Sequence, residues 1–275
     1  MHSCQTRYPI LLLHGMGFHD TTPHHWYWGR IPEALKQHGA EVYFGNQDGN
    51  ATIEFNARLL VSVVKRILRE TGAEKLNIIA HSKGGAEARC MISTMGMGDS
   101  IASVTTIATP HHGSPTIDWL LAHFDPIIRM GSTVMDGIRL CCGDFDPQTY
   151  LVIRELSTGY MQDFNQRNLD DPRVYYQSFA FLMKRPLSDP LMSIPNAIVS
   201  CFEGKNDGMV SPQNARWTNF RGIYSGTSQR GVSHPDEIDY MRLPFTRKNS
   251  DEDRKISDIT NFYLGVVREL KRRGF

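Results

Sequence analysis

The chain has 275 residues, 40% of them hydrophobic, so it is long enough to bury a full core in a single domain. Its 30 Lys and Arg residues nearly balance its 29 Asp and Glu residues, which leaves no strong field to attract nucleic acid or anionic lipid. Composition therefore weighs against a nucleic-acid-binding protein and favours a small neutral substrate.

The N-terminal residues and the cysteines bear on cellular location. Residues 10–13 form a short apolar run, too short for a signal-peptide core, and no window reaches the length of a transmembrane helix. The cysteines are odd in number and lack the spacing of a zinc site, so we expect reduced thiols at Cys4, Cys90, Cys141, Cys142 and Cys201. These features predict a cytoplasmic protein, although a secreted protein that had lost its leader would look the same.

Apolar runs and helical periodicities alternate along the chain. Short apolar runs predict strands at residues 8–13, 76–80, 101–108, 174–181 and 197–202. Apolar residues at every third or fourth position predict helices at residues 31–38, 53–70, 84–95 and 256–272. This order predicts an α/β fold with a mostly parallel central sheet, helices on both faces and ligands bound at the carboxyl ends of the strands.

Residues 113–165 break this alternation. The segment is long, rich in apolar and helix-compatible residues, and without a clear strand. We expect a helical lid or cap, inserted into a single domain that spans residues 1–275. Six apolar residues would suit the apolar face of a lid, or equally the buried face of a packing helix: Trp119, Leu120, Leu121, Phe124, Ile127 and Ile128.

The segment LNIIAHSKGG, residues 76–85, predicts a nucleophile elbow centred on Ser82. Such a turn joins a buried strand to a helix and holds a serine in a strained conformation, so small residues must stand two positions before and after it. Ala80 and Gly84 meet this requirement, with Ala80 in place of the more usual glycine. A glycine-rich turn without catalytic role is the alternative, but the strand before and the helix after favour the elbow.

A catalytic serine needs a base and a carboxylate that orients the base, and in this fold they follow the serine in the order acid, then histidine. Asp207 follows the predicted strand at residues 197–202 and is our candidate acid, with Glu203 as its rival. Asn-Asp-Gly is also favourable turn chemistry in any protein. His234 is the candidate base, because no other histidine follows position 123.

The reaction also needs two donors for the oxyanion. We expect them to be the backbone amides of Lys83, which follows the serine, and of Met16, in a glycine-containing loop after the first strand. His14 in that loop is interpreted as structural. The adjacent pairs His24-His25 and His111-His112 lack ligand spacing for a metal, so surface or loop roles are expected for them.

Six segments together resemble the true bacterial triacylglycerol lipases, and several of them are closest to the thermoalkalophilic lipases. In chain order they are YPILLLHGMG, YWGRIPEAL, IIAHSKGGAEAR, SVTTIATPHHGSP, NDGMVS and SHPDEID. The resemblance implies the α/β-hydrolase fold, the triad Ser82, Asp207 and His234, an oxyanion hole from the Met16 and Lys83 amides, and a lid over an acyl-binding cleft.

The resemblance also bears on metals. In such lipases a calcium ion fixes the loop of the catalytic histidine, which implies Asp189 and Asp236 as ligands here, both hard oxygen donors. Asp189-Pro190 is equally an ordinary turn. The zinc-bearing insertion of the thermoalkalophilic lipases is missing between positions 70 and 76, so no zinc is expected, and the chemistry itself needs no cofactor.

The sequence therefore predicts a carboxylic ester hydrolase, specifically a lipase that acts on acylglycerols through an acyl-enzyme. Its partners would be an ester or lipid substrate and, transiently, a lipid–water interface. A soluble short-chain carboxylesterase or an acyltransferase would share the same chemistry. A noncatalytic binding protein on the same fold is the more remote alternative.

Overall fold

The computed structural model describes residues 3–17, 19–20, 27–226, 230–242, 255–256 and 258–275. Across these residues seven parallel strands form one sheet in the order β2-β1-β3-β4-β5-β6-β7. The strands are β1 (Ile10–Leu13), β2 (Val42–Phe44), β3 (Leu76–His81), β4 (Ile101–Ile107), β5 (Tyr175–Phe181), β6 (Phe220–Gly226) and the two-residue β7 (Lys255–Ile256).

Nine α-helices lie in the described residues: α1 (Ile31–Gln37), α2 (Ile53–Thr71), α3 (Lys83–Ser93), α4 (Pro115–Cys141), α5 (Thr149–Glu155), α6 (Thr158–Arg167), α7 (Ser193–Glu203), α8 (Pro212–Ala215) and α9 (Ile259–Arg272). Local chemistry explains their ends. At the start of α2 the Thr52 hydroxyl accepts a hydrogen bond from the Phe55 N–H, and at its end Gly72 adopts a left-handed φ of 68°.

Two hydrophobic clusters cover opposite faces of the sheet. One contains apolar residues of α1 and α9, and the other contains apolar residues of α2, α3 and α6. Strands β1, β3 and β4 are buried along their whole length, which explains why they stand out in the sequence as continuous apolar runs. The expected parallel sheet with helices on both faces is therefore confirmed.

One predicted strand is wrong. Residues 197–202 form the second half of helix α7. The run is short and apolar, and such a run cannot be assigned to strand or helix by periodicity alone. In the structure Ile194, Ile198 and Phe202 recur every four residues and remain exposed, so the apolar residues follow a helical stripe. Strands β2, β6 and β7 were not predicted.

The inserted segment at residues 113–165 contains α4, α5 and most of α6, and no strand. The long helix α4 contributes only Thr116 and Ser132 to the buried residues. It bends at Phe124, whose backbone leaves the helical region shortly before Pro126. Helix α4 is therefore not a buried packing helix. Among the described residues no helix is long and apolar enough to span a membrane.

Candidate active site

Ser82 lies in a sharp turn between β3 and α3. Its φ of 52° and ψ of −130° are unfavourable for a side-chain-bearing residue, as a nucleophile elbow requires. The turn is held by a hydrogen bond of 2.9 Å from the Ser82 N–H to the Ile107 carbonyl. A Cβ on Gly84 would lie 2.5 Å from the His14 carbonyl oxygen, so the backbone of β1 packs against the elbow too closely for any larger residue.

Asp207 and His234 are bonded to each other. The His234 Nδ1 lies 2.9 Å from the Asp207 Oδ2, and the His234 N–H donates to the Asp207 carbonyl at 2.8 Å. Asp207 Oδ1 accepts hydrogen bonds of 2.8 Å from the N–H groups of Met209 and Val210. Burial alone would raise the pKa of Asp207, but His234 and these two amides hold it below its ordinary value, so the carboxyl is ionised.

Asp207 reaches this position although a helix, and not a strand, precedes it. The chain leaves the sheet after β5, forms α7 and returns beside the end of β5. The return is fixed by a hydrogen bond of 3.0 Å from the Met183 N–H to the Asn206 carbonyl. Asp207 therefore still lies at the carboxyl edge of the sheet, where ligands bind in such folds.

Glu203, the rival acid, is engaged elsewhere. Its Oε1 accepts hydrogen bonds from the hydroxyls of Ser114 at 2.5 Å and Thr116 at 2.9 Å, and its Oε2 accepts one from the Asn214 amide at 2.7 Å. These contacts tie the end of α7 to the start of α4. The structure therefore pairs His234 with Asp207 and gives Glu203 a structural role.

Ser82 and His234 line one cavity at the carboxyl edge of the sheet. Other residues lining it include Met16, Tyr27, His81, Leu191, Met192, Met209, Pro235, Ile238 and Tyr240. The cavity has a volume of about 180 Å³, and most of the lining side chains are apolar. In the described part of the chain no hydrogen bond joins the Ser82 hydroxyl to His234, and such bonds often form only when substrate binds.

The loop after β1 runs directly against the nucleophile. A Cβ on Gly15 would lie 2.8 Å from the Ser82 Cβ, and the Gly15 N–H donates to the Tyr27 hydroxyl at 2.8 Å. Met16 follows and lines the cavity, while Lys83 begins helix α3. Among the backbone hydrogen bonds between loops, turns and helix ends of the described residues, none is donated by the Met16 N–H or the Lys83 N–H.

The Lys83 side chain points away from the cavity into the protein. Its ammonium is buried, forms an ion pair with Glu87 and donates to the Ala51 carbonyl at 2.9 Å. The Lys83 side chain is therefore engaged inside the protein, and the role of its backbone amide as an oxyanion donor stays a prediction. The amino end of α3 adds a favourable dipole for negative charge at the same point.

A buried chain of polar groups, not predicted from the sequence, lies behind Ser82 and His234. The Tyr27 hydroxyl lies 2.6 Å from the His81 Nδ1, and the His81 Nε2 lies 3.0 Å from the Glu237 Oε2. The same Glu237 oxygen lies 3.9 Å from the His234 Nδ1. His81 directly precedes Ser82, and Glu237 follows His234 by three residues. These positions, inside the segments that contain Ser82 and His234, were the signal that the sequence offered.

Burial favours the uncharged forms of Glu237 and His81. Desolvation raises the pKa of Glu237 well above its ordinary value, and the negative charge of Asp207 raises it further. Desolvation also lowers the pKa of His81 well below its ordinary value, followed by the effect of His234. His81, His234 and Glu237 are close enough to hold a metal ion, but their ligand atoms are already bonded to one another, to Tyr27 and to Asp207.

The remaining histidines have structural positions. Both ring nitrogens of His14 contact backbone carbonyls, those of Gly15 at 2.7 Å and Gln47 at 2.8 Å, as its structural interpretation requires. His111 lies in a loop, which is one of the two expected roles, and it is fully buried there against Arg89. His112 is exposed. His24 and His25 lie outside the described residues.

Asp189 and Asp236, the expected calcium ligands, lie beside the same serine. The Ser233 hydroxyl donates to Asp189 at 2.5 Å, and the Ser233 N–H donates to Asp236 at 3.1 Å. Between the two carboxylates lies the guanidinium of Arg230, which pairs with both. A cation is thus already present in the donor set, and these residues as arranged do not fit a calcium ion. Calcium binding stays an untested prediction from the sequence.

An apolar surface adjoins the cavity. Helices α4 and α7 pack together, with the rings of Trp119 and Phe202 5.3 Å apart. The exposed large hydrophobic side chains of this α4–α7 face are those of Trp119, Phe124, Ile127, Met130, Val134, Met135, Ile138, Leu140, Ile194, Ile198 and Phe202. Leu191, two residues before α7, is 61% exposed and lines the cavity, so the apolar side chains of α7 begin beside the site.

Residues 8–124 match the family model of the alpha/beta hydrolase fold. Among solved structures, the chain is similar to that of Staphylococcus hyicus lipase, with a TM-score of 0.70 and 18% sequence identity over 97% of this chain and 96% of that one. At this identity the likeness concerns the fold alone.

Two curated relatives extend the comparison to sequence. Triacylglycerol lipase 2 of Saccharomyces cerevisiae is 27% identical over 266 residues, which cover 90% of this chain and 74% of the relative. A triacylglycerol lipase of Pseudarthrobacter phenanthrenivorans is 40% identical over 174 residues. That alignment covers 58% of this chain and 54% of the relative, so the chain spans about half the length of this bacterial protein.

Proposed function

We propose that the chain, whose residues 8–124 match the α/β-hydrolase model, is a serine hydrolase that cleaves the carboxylic esters of acylglycerols, with Ser82, Asp207 and His234 as its triad. The observation that carries the proposal is the strained backbone of Ser82 in a cavity lined by His234, whose Nδ1 is bonded to a buried carboxylate. A serine in a merely structural turn has no need of this combination.

In the proposed mechanism His234 accepts the Ser82 proton as the serine oxygen attacks the ester carbonyl carbon. Asp207 holds the His234 ring in the orientation that leaves Nε2 free for this proton, and it stabilises the imidazolium that forms. The tetrahedral oxyanion is stabilised by the Met16 and Lys83 amides. The alcohol departs with the proton from His234, and water then hydrolyses the acyl-enzyme by the same steps.

The α4–α7 face and the names of the curated relatives support a lipid substrate over a small soluble ester. A long, largely unburied helix with many exposed apolar side chains suits transient contact with a lipid–water interface. The relatives in yeast and in bacteria are triacylglycerol lipases. We therefore propose that residues 113–165 form a lid that borders the cavity.

The test is hydrolysis of p-nitrophenyl esters from acetyl to palmitoyl by the wild type and by Ser82→Ala. We expect activity that extends to long acyl chains and is lost in the variant. Ser82-dependent activity confined to short chains would support a soluble esterase instead. A wild type without Ser82-dependent activity on any chain would support a noncatalytic binding protein. Product analysis with added alcohol separates hydrolysis from acyl transfer.

A further inference from the structure

Arg230 bridges two carboxylates beside the histidine loop, which we define as residues 230–236. Its Nη1 lies 3.1 Å and 3.0 Å from the two carboxylate oxygens of Asp236, and its Nη2 lies 3.5 Å from the Asp189 Oδ2. Its Nε donates to the Ser188 carbonyl at 2.8 Å. One guanidinium thus connects the segment before α7 to both ends of the histidine loop, because Arg230 begins the loop and Asp236 ends it.

Both carboxylates need a compensating charge. Their side chains are only 9% (Asp189) and 4% (Asp236) exposed, and they converge on Ser233. Two buried negative groups so close together repel each other and are costly without a cation. Among the ion pairs of the described residues, Arg230 supplies the positive charge to both carboxylates.

The bridge bears directly on His234. Ser233, to which both carboxylates are bonded, immediately precedes the base, and the Val232 N–H donates to the Leu182 carbonyl at 2.8 Å. The histidine loop is thereby fixed on both sides of the base. Asp189 also stands two residues before Leu191, which lines the cavity, so the same bridge holds one wall of the site.

We propose that Arg230 is a positioning residue, a built-in cation that holds His234 in register with Ser82 and does so without a metal ion. This inference rests on the proposed function, because it concerns the base of that reaction. Arginine suits the task, since its planar fork can engage two carboxylates and a carbonyl at once and its charge does not depend on pH.

Arg230 should also decide whether catalysis responds to calcium. With Arg230 in place, neither chelation nor added calcium should alter catalysis. With Arg230 removed, Asp189, Asp236 and the Ser188 carbonyl present a vacant set of oxygen donors, which is the chemistry that calcium selects. A calcium ion should then restore the lost charge.

The experiment compares wild type, Arg230→Ala, Arg230→Ala/Asp236→Asn and Arg58→Ala on a soluble p-nitrophenyl ester. Arg58 is the matched control, since it forms an exposed ion pair with Glu54 on α2, outside the site. For each variant kcat and KM are measured in EDTA, in millimolar CaCl2 and in NaCl of equal ionic strength. Thermal unfolding in each buffer reports on the fold.

We expect a wild-type kcat that is indifferent to EDTA and calcium. In Arg230→Ala we expect kcat to fall by at least about tenfold with little change in KM, because a displaced base impairs proton transfer more than binding. Calcium, but not NaCl, should restore most of this kcat, and the double variant should not respond. Arg58→Ala should match the wild type.

Two results would overturn the inference: a wild type whose kcat falls in EDTA, or a folded Arg230→Ala with wild-type kcat in EDTA. If Arg230→Ala does not fold, Arg230→Lys keeps the charge without the fork, and a kcat equal to wild type there would also overturn it. A wild type without Ser82-dependent activity would instead remove the proposed function, so the two failures are distinguishable.

Discussion

The two carboxyl groups beside His234 carry different charges because their surroundings differ. Asp207 accepts two backbone N–H groups and faces the His234 Nδ1, all of which favour its ionised form. Glu237 is buried next to the negative charge of Asp207, which favours its neutral form. One carboxylate can therefore orient the base, while the neighbouring carboxyl fills the space as a hydrogen-bonding acid.

Replacing Asp207 by Asn should lower kcat by on the order of 10² to 10⁴-fold, because the amide no longer stabilises the imidazolium or fixes the ring tautomer. Glu203→Gln is the matched control and should retain kcat, since its contacts join α7 to α4. Steady-state kinetics of both variants decide the assignment. Full activity of Asp207→Asn combined with loss in Glu203→Gln would transfer the acid role.

Replacing Glu237 by Gln should stabilise the protein relative to wild type, by an amount that grows as pH rises. The folded-state pKa of Glu237 lies above the ordinary value of 4.5, so its stabilising contribution is complete below pH 4.5 and is lost as pH rises toward the folded-state pKa. Over that window the variant should gain about 1.4 kcal/mol in unfolding free energy per pH unit relative to wild type.

Urea denaturation at pH 5, 6 and 7 measures this difference. Glu74→Gln is the control, because Glu74 is exposed and forms a surface ion pair with Arg7, and its difference from wild type should stay nearly constant. A constant difference for Glu237→Gln as well would mean that Glu237 is ionised in the fold.

At the scale of elements, the site depends on how closely β1, β3 and α3 approach one another. Gly15 and Gly84 stand at this crossing, one in the loop after β1 and one in the first turn of α3. Without side chains at these positions the loop after β1 can lie directly against Ser82. The strain at Ser82 is maintained by this packing.

Gly84→Ala should destabilise the protein by about 1–3 kcal/mol and lower kcat, because its Cβ would meet the backbone of β1. Gly131→Ala on α4 is the matched control, since a Cβ there meets nothing within 4 Å and alanine favours a helix. Denaturant unfolding and kcat are measured for both. Equal stability of the two variants would show that the elbow does not need glycine.

The elements that could be predicted are those with a strong and continuous pattern. Strands β1, β3, β4 and β5 and helices α1, α2, α3 and α9 are long or fully buried enough to be recognised. Helix α7 was mistaken for a strand because its apolar residues are consecutive at 197–199. Strand β6, with the sequence FRGIYSG, was missed because polar residues and glycines interrupt it.

At the scale of the whole molecule, contacts between distant segments complete the site. His81 and Glu237 are 156 positions apart, and Asp189 meets Ser233 across 44 positions. Motif and chain order led to Ser82, Asp207 and His234 as candidates, and the structure places Ser82 and His234 in one cavity with Asp207 bonded to His234. No local pattern predicts that Tyr27 and Glu237 would flank His81, or that Arg230 would lie between two carboxylates, because those pairings depend on how the loops fold together.

Substitutions on the α4–α7 face should lower hydrolysis of emulsified substrate but not of soluble substrate. Ile127 and Ile194 are 62% and 71% exposed. Replacing each by Gln should lower hydrolysis of a long-chain triacylglycerol emulsion several-fold, because each substitution removes about 1 kcal/mol of apolar contact with the lipid. Hydrolysis of a soluble butyrate ester should change little. Leu169→Gln, 69% exposed but outside the face, is the matched control. Equal loss on both substrates would contradict an interfacial role.

If Ser82 is an activated nucleophile, it should react with an organophosphonate, and peptide mass spectrometry locates the product. We expect one phosphonyl group per chain, located on Ser82, with labelling abolished in Ser82→Ala and strongly slowed in His234→Ala. A folded wild type that remains unlabelled, or that is labelled at another residue, would contradict it.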